Sequence, residues 1–67
     1  MKIILNNREE EFAREKMSVT EMLADKKFSY RMRIVRVNGR LIPGELYGTT
    51  IIHDGDEVQM LYLMSGG

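Results

Sequence analysis

Only one segment of this 67-residue chain reads as a helix, and that helix is too short to stand alone. In Met17-Ser18-Val19-Thr20-Glu21-Met22, Ser18 can cap the amide of Glu21 while the Glu21 side chain returns to the amide of Ser18, and Met17 and Met22 can pack across the first turn. This predicts a helix beginning at Val19. Val19, Met22 and Leu23 form its apolar stripe, Asp25, Lys26 and Lys27 end its polar side, and Phe28 folds back beneath the last turn. At about two to three turns it needs a sheet to cover. A chain of this size has room for one small domain, burying only about 60% of the surface it exposes when unfolded.

The sheet is written in alternating segments. Ile3-Ile4-Leu5 is β-prone, Asn6-Asn7 is a turn signal, and Arg8 to Arg14 reads as a second extended stretch. Its run Glu9-Glu10-Glu11 fits a solvated edge that discourages pairing with other chains. From Met32 to Val37, Val35 and Val37 point one way and Ile34 and Arg36 the other. Asn38-Gly39 then supplies the two adjacent positive φ angles of a type I′ hairpin, and Arg40-Leu41-Ile42 returns until Pro43 stops it. Gly44 to Gly48 is expected to be an irregular connection with Leu46 and Tyr47 tucked against the core. His53-Asp54-Gly55-Asp56 turns into a last strand, Glu57 to Met64. The expected order is strand, strand, helix, strand, short strand, strand: one α+β domain over residues 1–64, with a helix on one face of a mixed sheet, followed by a flexible tail, residues 65–67.

Composition removes several function classes. Ten basic and ten acidic side chains balance, which argues against a general polyanion or nucleic-acid binder. Without cysteine there is no disulfide, thiolate ligand or thiol that could carry sulfur, and the cytoplasm is the expected compartment. The apolar run Ile3-Ile4-Leu5 is far too short for a signal sequence or a membrane span. The six methionines read mostly as packing. His53 has no second histidine, and Asp54 and Asp56 lack the further ligands of a calcium loop, so both acids read as turn formers and no metal site is expected. Thr49, Thr50 and Ser18 have no base beside them in sequence, so no catalytic residue is assigned.

The C-terminal pair Gly66-Gly67 is the candidate for chemistry. Glycines carry no side chain to jam in a narrow channel, and Ser65 to Gly67 can reach roughly 10 Å past the last strand. The Gly67 carboxylate is ionised at neutral pH, a poor electrophile that must be activated from outside. Adenylation would remove its charge and install a leaving group, after which a sulfur nucleophile could attack the carbonyl carbon. Beside the tail, Val58, Met60, Tyr62 and Met64 share one face of the last strand while Gln59, Leu61 and Leu63 share the other. If the helix covers the first set, Leu61 and Leu63 face outward as a partner-binding patch that Ile34 extends across the sheet. Arg36 and Arg40 stand either as solvated charge or as guides for an acidic partner.

Val37-Asn38-Gly39-Arg40-Leu41-Ile42-Pro43, then Thr50-Ile51-Ile52-His53-Asp54-Gly55-Asp56-Glu57-Val58, then Gly66-Gly67, together resemble the ThiS-like sulfur-carrier proteins of thiamin biosynthesis. The related MoaD-like carriers of molybdopterin synthesis share the turn and the tail. Ser18 to Leu23 looks like the family's first helix, so the resemblance covers nearly the whole chain. It implies a ubiquitin-like β-grasp fold and a carrier, not an enzyme, that binds no cofactor of its own. It also implies two partners: a ThiF-like adenylyltransferase of the ubiquitin-activating type, which spends ATP on the Gly67 carboxylate, and a ThiG-like thiazole synthase that receives sulfur from the resulting thiocarboxylate. MoaD-like chains are usually longer and often have prolines shortly before the glycines, whereas Leu63-Met64-Ser65 stands here, which favours the ThiS-like branch. Small residues often occupy the family positions of Ile34 and Arg36, and Arg31, Arg33, Arg36 and Arg40 make this segment unusually basic, which bears on partner choice. A MoaD-like carrier, a protein modifier joined to lysine through Gly67, and an interaction module with an inert tail are the alternative readings.

Overall fold

A computed structural model of the chain describes residues 1–28 and 32–62. The expected strand end at Leu63 and Met64, and the tail residues Ser65, Gly66 and Gly67, lie outside the described residues, as does the expected domain boundary after residue 64. The chain opens with a hairpin of β1 (Lys2–Leu5) and β2 (Arg8–Glu11), paired Leu5 to Arg8 across Asn6 and Asn7, whose φ angles are 51° and 67°. Two positive φ angles in a two-residue loop make a type I′ turn, whose twist suits the hairpin. Asparagine tolerates that conformation because its short side chain hydrogen-bonds nearby. β2 was expected to run to Arg14 and stops at Glu11. There it meets Lys2, the first residue of β1; beyond it Phe12 N–H donates to Met1 O at 2.8 Å, and the Met1 ammonium donates to Phe12 O and Arg14 O, each at 2.9 Å.

The helix α1 (Val19–Asp25) starts where its capping box requires. Glu21 N–H donates to Ser18 Oγ at 3.1 Å, and Ser18 N–H donates to Glu21 Oε1 at 2.9 Å. Its other end is a Schellman motif: Phe28 N–H donates to Leu23 O at 2.8 Å and Lys27 N–H to Ala24 O at 3.0 Å, with Lys27 left-handed at φ 58°. Phe28 thereby folds back onto the core, and its ring meets that of Tyr62 edge-on at 6.2 Å.

After α1 the second hairpin, β4 (Arg33–Val37) and β5 (Arg40–Ile42), turns at Asn38 and Gly39 with φ 51° and 81°. A two-residue strand β3 (Met17–Ser18) pairs antiparallel with β6 (Ile51–Ile52), a small second sheet that the alternation pattern did not foretell. Strands of two residues carry no readable period, and their pairing is made across the fold. β7 (Glu57–Tyr62) completes the main sheet in the order β2-β1-β7-β4-β5, with β1 and β7 parallel and the other pairs antiparallel. This is a mixed five-stranded sheet with a single helix against one face, the ubiquitin-like β-grasp arrangement. The inward residues Ile3, Leu5, Val35, Val58 and Met60 pack with Met17, Val19, Met22, Leu23 and Ile52. Each fully buried aliphatic side chain of this kind contributes about 1.5–3 kcal/mol.

One packing expectation fails. The segment after Pro43 forms a 3-10 turn, Gly44–Leu46, that leaves Leu46 45% exposed and sends only Tyr47 against the core. A single tight turn presents one side inward, and here that side is Tyr47. Its ring lies 5.3 Å from the guanidinium carbon of Arg33.

Candidate functional site

Alternation along a strand sends neighbouring residues to opposite faces, so covering one face with α1 leaves the other bare. On the bare face the register sets Ile34 directly opposite Leu61, and Arg36 between Leu41 of β5 and Gln59 of β7. Leu61 is 47% exposed and Leu41 58%, while Ile34 is half-buried. Of the residues expected at this patch, the structure brings Ile34, Arg36 and Leu61 together. Leu63 lies outside the described residues. Leu41 is a member that the sequence reading passed over. Its position between Arg40 and Ile42 in a three-residue strand carried the signal, since Ile42 is buried and its neighbour must point away.

The basic segment disperses. Arg33 is taken up by Tyr47, and Arg40 shares the parity of buried Ile42, so it points to the side opposite Arg36. There it lines a groove of about 360 Å³ with Val37, Ile42, Thr50 and His53. Arg36 is the arginine that remains on the bare face among the described residues. The acidic side chains on that face are Glu9 and Glu11 of the edge strand β2 and Glu57 of the central strand β7, which stands opposite Asn38.

On the helix side the charges pair. Arg14 reaches Asp25 through two bonds, Nε to Oδ2 at 2.8 Å and Nη2 to Oδ1 at 3.1 Å, and reaches Glu21 Oε2 at 3.0 Å. The Arg14 hydrogen bond holds the Asp25 carboxyl below its ordinary range, and the same bond raises Arg14. Lys26 Nζ pairs with Glu10 Oε1 at 3.0 Å, tying α1 to the edge strand.

The His53 turn is structural. Asp54 Oδ1 accepts from Lys2 N–H at 2.7 Å, and Asp56 accepts from His53 N–H at 2.8 Å and from Asn38 Nδ2 at 3.1 Å. The His53 side chain is 71% exposed, with its Nδ1 3.8 Å from Asp56 Oδ2. Among the described residues no group of three or more histidine, aspartate or glutamate side chains is placed to hold a metal ion, and no helix is long and apolar enough to cross a membrane.

What the described residues offer, then, is a platform: an apolar patch of Ile34, Leu41 and Leu61 beside Arg36, spread over β4, β5 and β7, the last of which precedes the glycine pair in sequence. The ThiS family model matches residues 3–67. A crystal structure of the thiamine biosynthesis protein ThiS from Geobacter metallireducens is 32% identical, covers all of both chains and superposes with a TM-score of 0.89. A solution NMR structure of a thiamine biosynthesis protein from Geobacter metallireducens is 31% identical, matches all of this chain and 88% of its own, and has a TM-score of 0.81. No curated protein sequence matches significantly.

Proposed function

The chain belongs to the ThiS family, and on that premise we propose that it carries sulfur for thiamin thiazole synthesis on its C-terminal carboxylate. The observation that carries this reading is the family match through residue 67, which takes in Gly66 and Gly67 as well as the folded body. In the proposed cycle a ThiF-like adenylyltransferase binds the bare face while the tail enters its active site. The Gly67 carboxylate attacks the α-phosphorus of ATP and pyrophosphate leaves. Sulfide then adds to the carbonyl carbon of the acyl-adenylate and AMP departs, leaving a thiocarboxylate. A persulfide donor gives instead an acyl disulfide, whose S–S bond a thiol breaks to release the thiocarboxylate and a disulfide. A ThiG-like thiazole synthase receives that sulfur. The chain's own contribution is docking and reach: its tail supplies the reacting group and its partner supplies the catalysis.

Two measurements test this. The intact mass of protein purified from its native host should show one oxygen replaced by sulfur. Higher-mass conjugates in its place would favour the protein-modifier reading. Deleting Gly67 withdraws the carboxylate by about 3.3–3.6 Å, and misplacements of even 1 Å can cost about a hundredfold in rate. ATP–pyrophosphate exchange with the cognate adenylyltransferase should then be lost while the truncated chain still binds. Undiminished exchange would remove Gly67 from the mechanism.

A further inference from the structure

Arg36 is the arginine on the bare face among the described residues, and no acid of the described chain pairs with it. Arg14 and Lys26 pair with acids on the helix side, and Arg33 lies over Tyr47. The register places Lys2 opposite Glu11. Arg36 is exposed, its cross-strand neighbours Leu41 and Gln59 carry no charge, and among the described residues no carboxylate lies within ion-pair distance of it. One row along the sheet stands the apolar pair Ile34 and Leu61. A partner that covers Leu41, Ile34 and Leu61 must also cover the guanidinium between them.

Removing a guanidinium from water without a counter-charge costs several kcal/mol, more than burial of one exposed leucine returns. A partner with a wholly apolar docking surface would therefore be rejected, and one with a basic surface would be repelled. An arginine set in an apolar rim meets a carboxylate through two parallel N–H bonds, the geometry to which its planar head is suited. Of the acidic residues of this face, Glu9 and Glu11 stand on the far edge strand β2, and Glu57 of β7 stands opposite Asn38, one row from Arg36 and outside ion-pair distance of it, so the position directly above Arg36 holds no acid of this chain.

We propose that Arg36 is the specificity-determining residue of the bare face and receives a carboxylate side chain from the docked adenylyltransferase, set within an apolar surface. This rests on the docking reading given above and is tested separately from it. Affinity for the cognate adenylyltransferase would be measured at low and high salt for wild type, Arg36→Gln, Arg36→Lys, Arg36→Glu and Leu61→Asp, with thermal melts to confirm folding. Arg36→Gln should weaken binding about thirtyfold or more, because it leaves the partner's carboxylate buried and unpaired. Arg36→Glu should weaken it further, and Arg36→Lys should retain part of the affinity. The salt dependence seen for wild type should shrink in Arg36→Gln, and replacing the facing carboxylate by arginine should restore binding to Arg36→Glu. If Arg36→Gln binds as wild type at both salt concentrations while folded Leu61→Asp does not bind, the face docks without this residue and the Arg36 proposal is overturned. If folded Leu61→Asp binds as wild type, the docking reading falls and takes the Arg36 role with it.

Discussion

The side chain of Asn6 pairs with the backbone of Met60 on both sides of its amide, as a neighbouring strand would. Met60 N–H donates to Asn6 Oδ1 at 2.8 Å, and Asn6 Nδ2 donates to Met60 O at 3.1 Å. β1 has already turned away at this point, so the carboxamide continues its pairing with β7. Asn38, in the corresponding position of the second hairpin turn, holds the other side of β7: its Oδ1 accepts from Glu57 N–H at 2.9 Å, and its own N–H donates to Glu57 O at 2.7 Å. Two turn asparagines thus fix the strand that bears Leu61 and leads to the tail.

Replacing Asn6 by glycine keeps the positive φ and removes only the carboxamide. Two partly buried backbone groups of Met60 then lose their partners, at a cost of about 1–3 kcal/mol. In a domain of this size each kcal/mol moves the melting temperature by about 4–8 °C. Urea unfolding checks it. Wild-type stability in Asn6→Gly would show that water replaces the carboxamide without loss.

Lys27 occupies the left-handed position of the Schellman motif, where glycine is favoured. Lys27→Gly relieves a backbone strain of about 1 kcal/mol, so it should raise the melting temperature even though it shortens a side chain. A fall in stability would mean that the Lys27 side chain makes a contribution larger than the strain.

Asp25 has its proton affinity lowered by Arg14, and the sign of its effect on stability follows. The folded carboxyl titrates below its ordinary value of 3.8, so its contribution is fully present above that pH and is lost as the pH falls through the lower, folded value. Asp25→Asn should therefore make the acid limb of the stability profile below about pH 4 shallower and less dependent on added salt, with the Arg14–Glu21 and Lys26–Glu10 pairs supplying the remainder. An unchanged acid limb would show that solvent screening has already cancelled the pair.

Leu41 and Leu46 are similarly exposed but lie on different surfaces. Leu41 stands beside Arg36, whereas Leu46 belongs to the connection that meets the helix start through Thr20 N–H to Tyr47 O at 3.1 Å. Leu41→Asp should weaken adenylyltransferase binding by about tenfold or more while Leu46→Asp leaves it near wild type, and neither should unfold the chain. Equal losses from both would point to a general effect of added negative charge.

The features legible in the sequence are those whose hydrogen bonds close within a few residues. Ser18 and Glu21 cap each other across three positions, and Asn38-Gly39 needs only its own two φ angles, so both could be placed before any fold was known. Strand alternation likewise put Leu61 and Met60 on opposite faces, because period two is a property of the extended backbone. Tertiary structure decided everything that depends on residues brought together from far along the chain. The parallel pairing of β1 with β7, the clamp of Asn6 on Met60 and the small sheet of β3 with β6 join segments more than thirty positions apart, and no local pattern encodes them. The same holds for the separation of Arg36 from Arg40 and for Tyr47, not Leu46, turning inward: each side chain went where the packed sheet left room, and in a small core that room is set by all the strands at once.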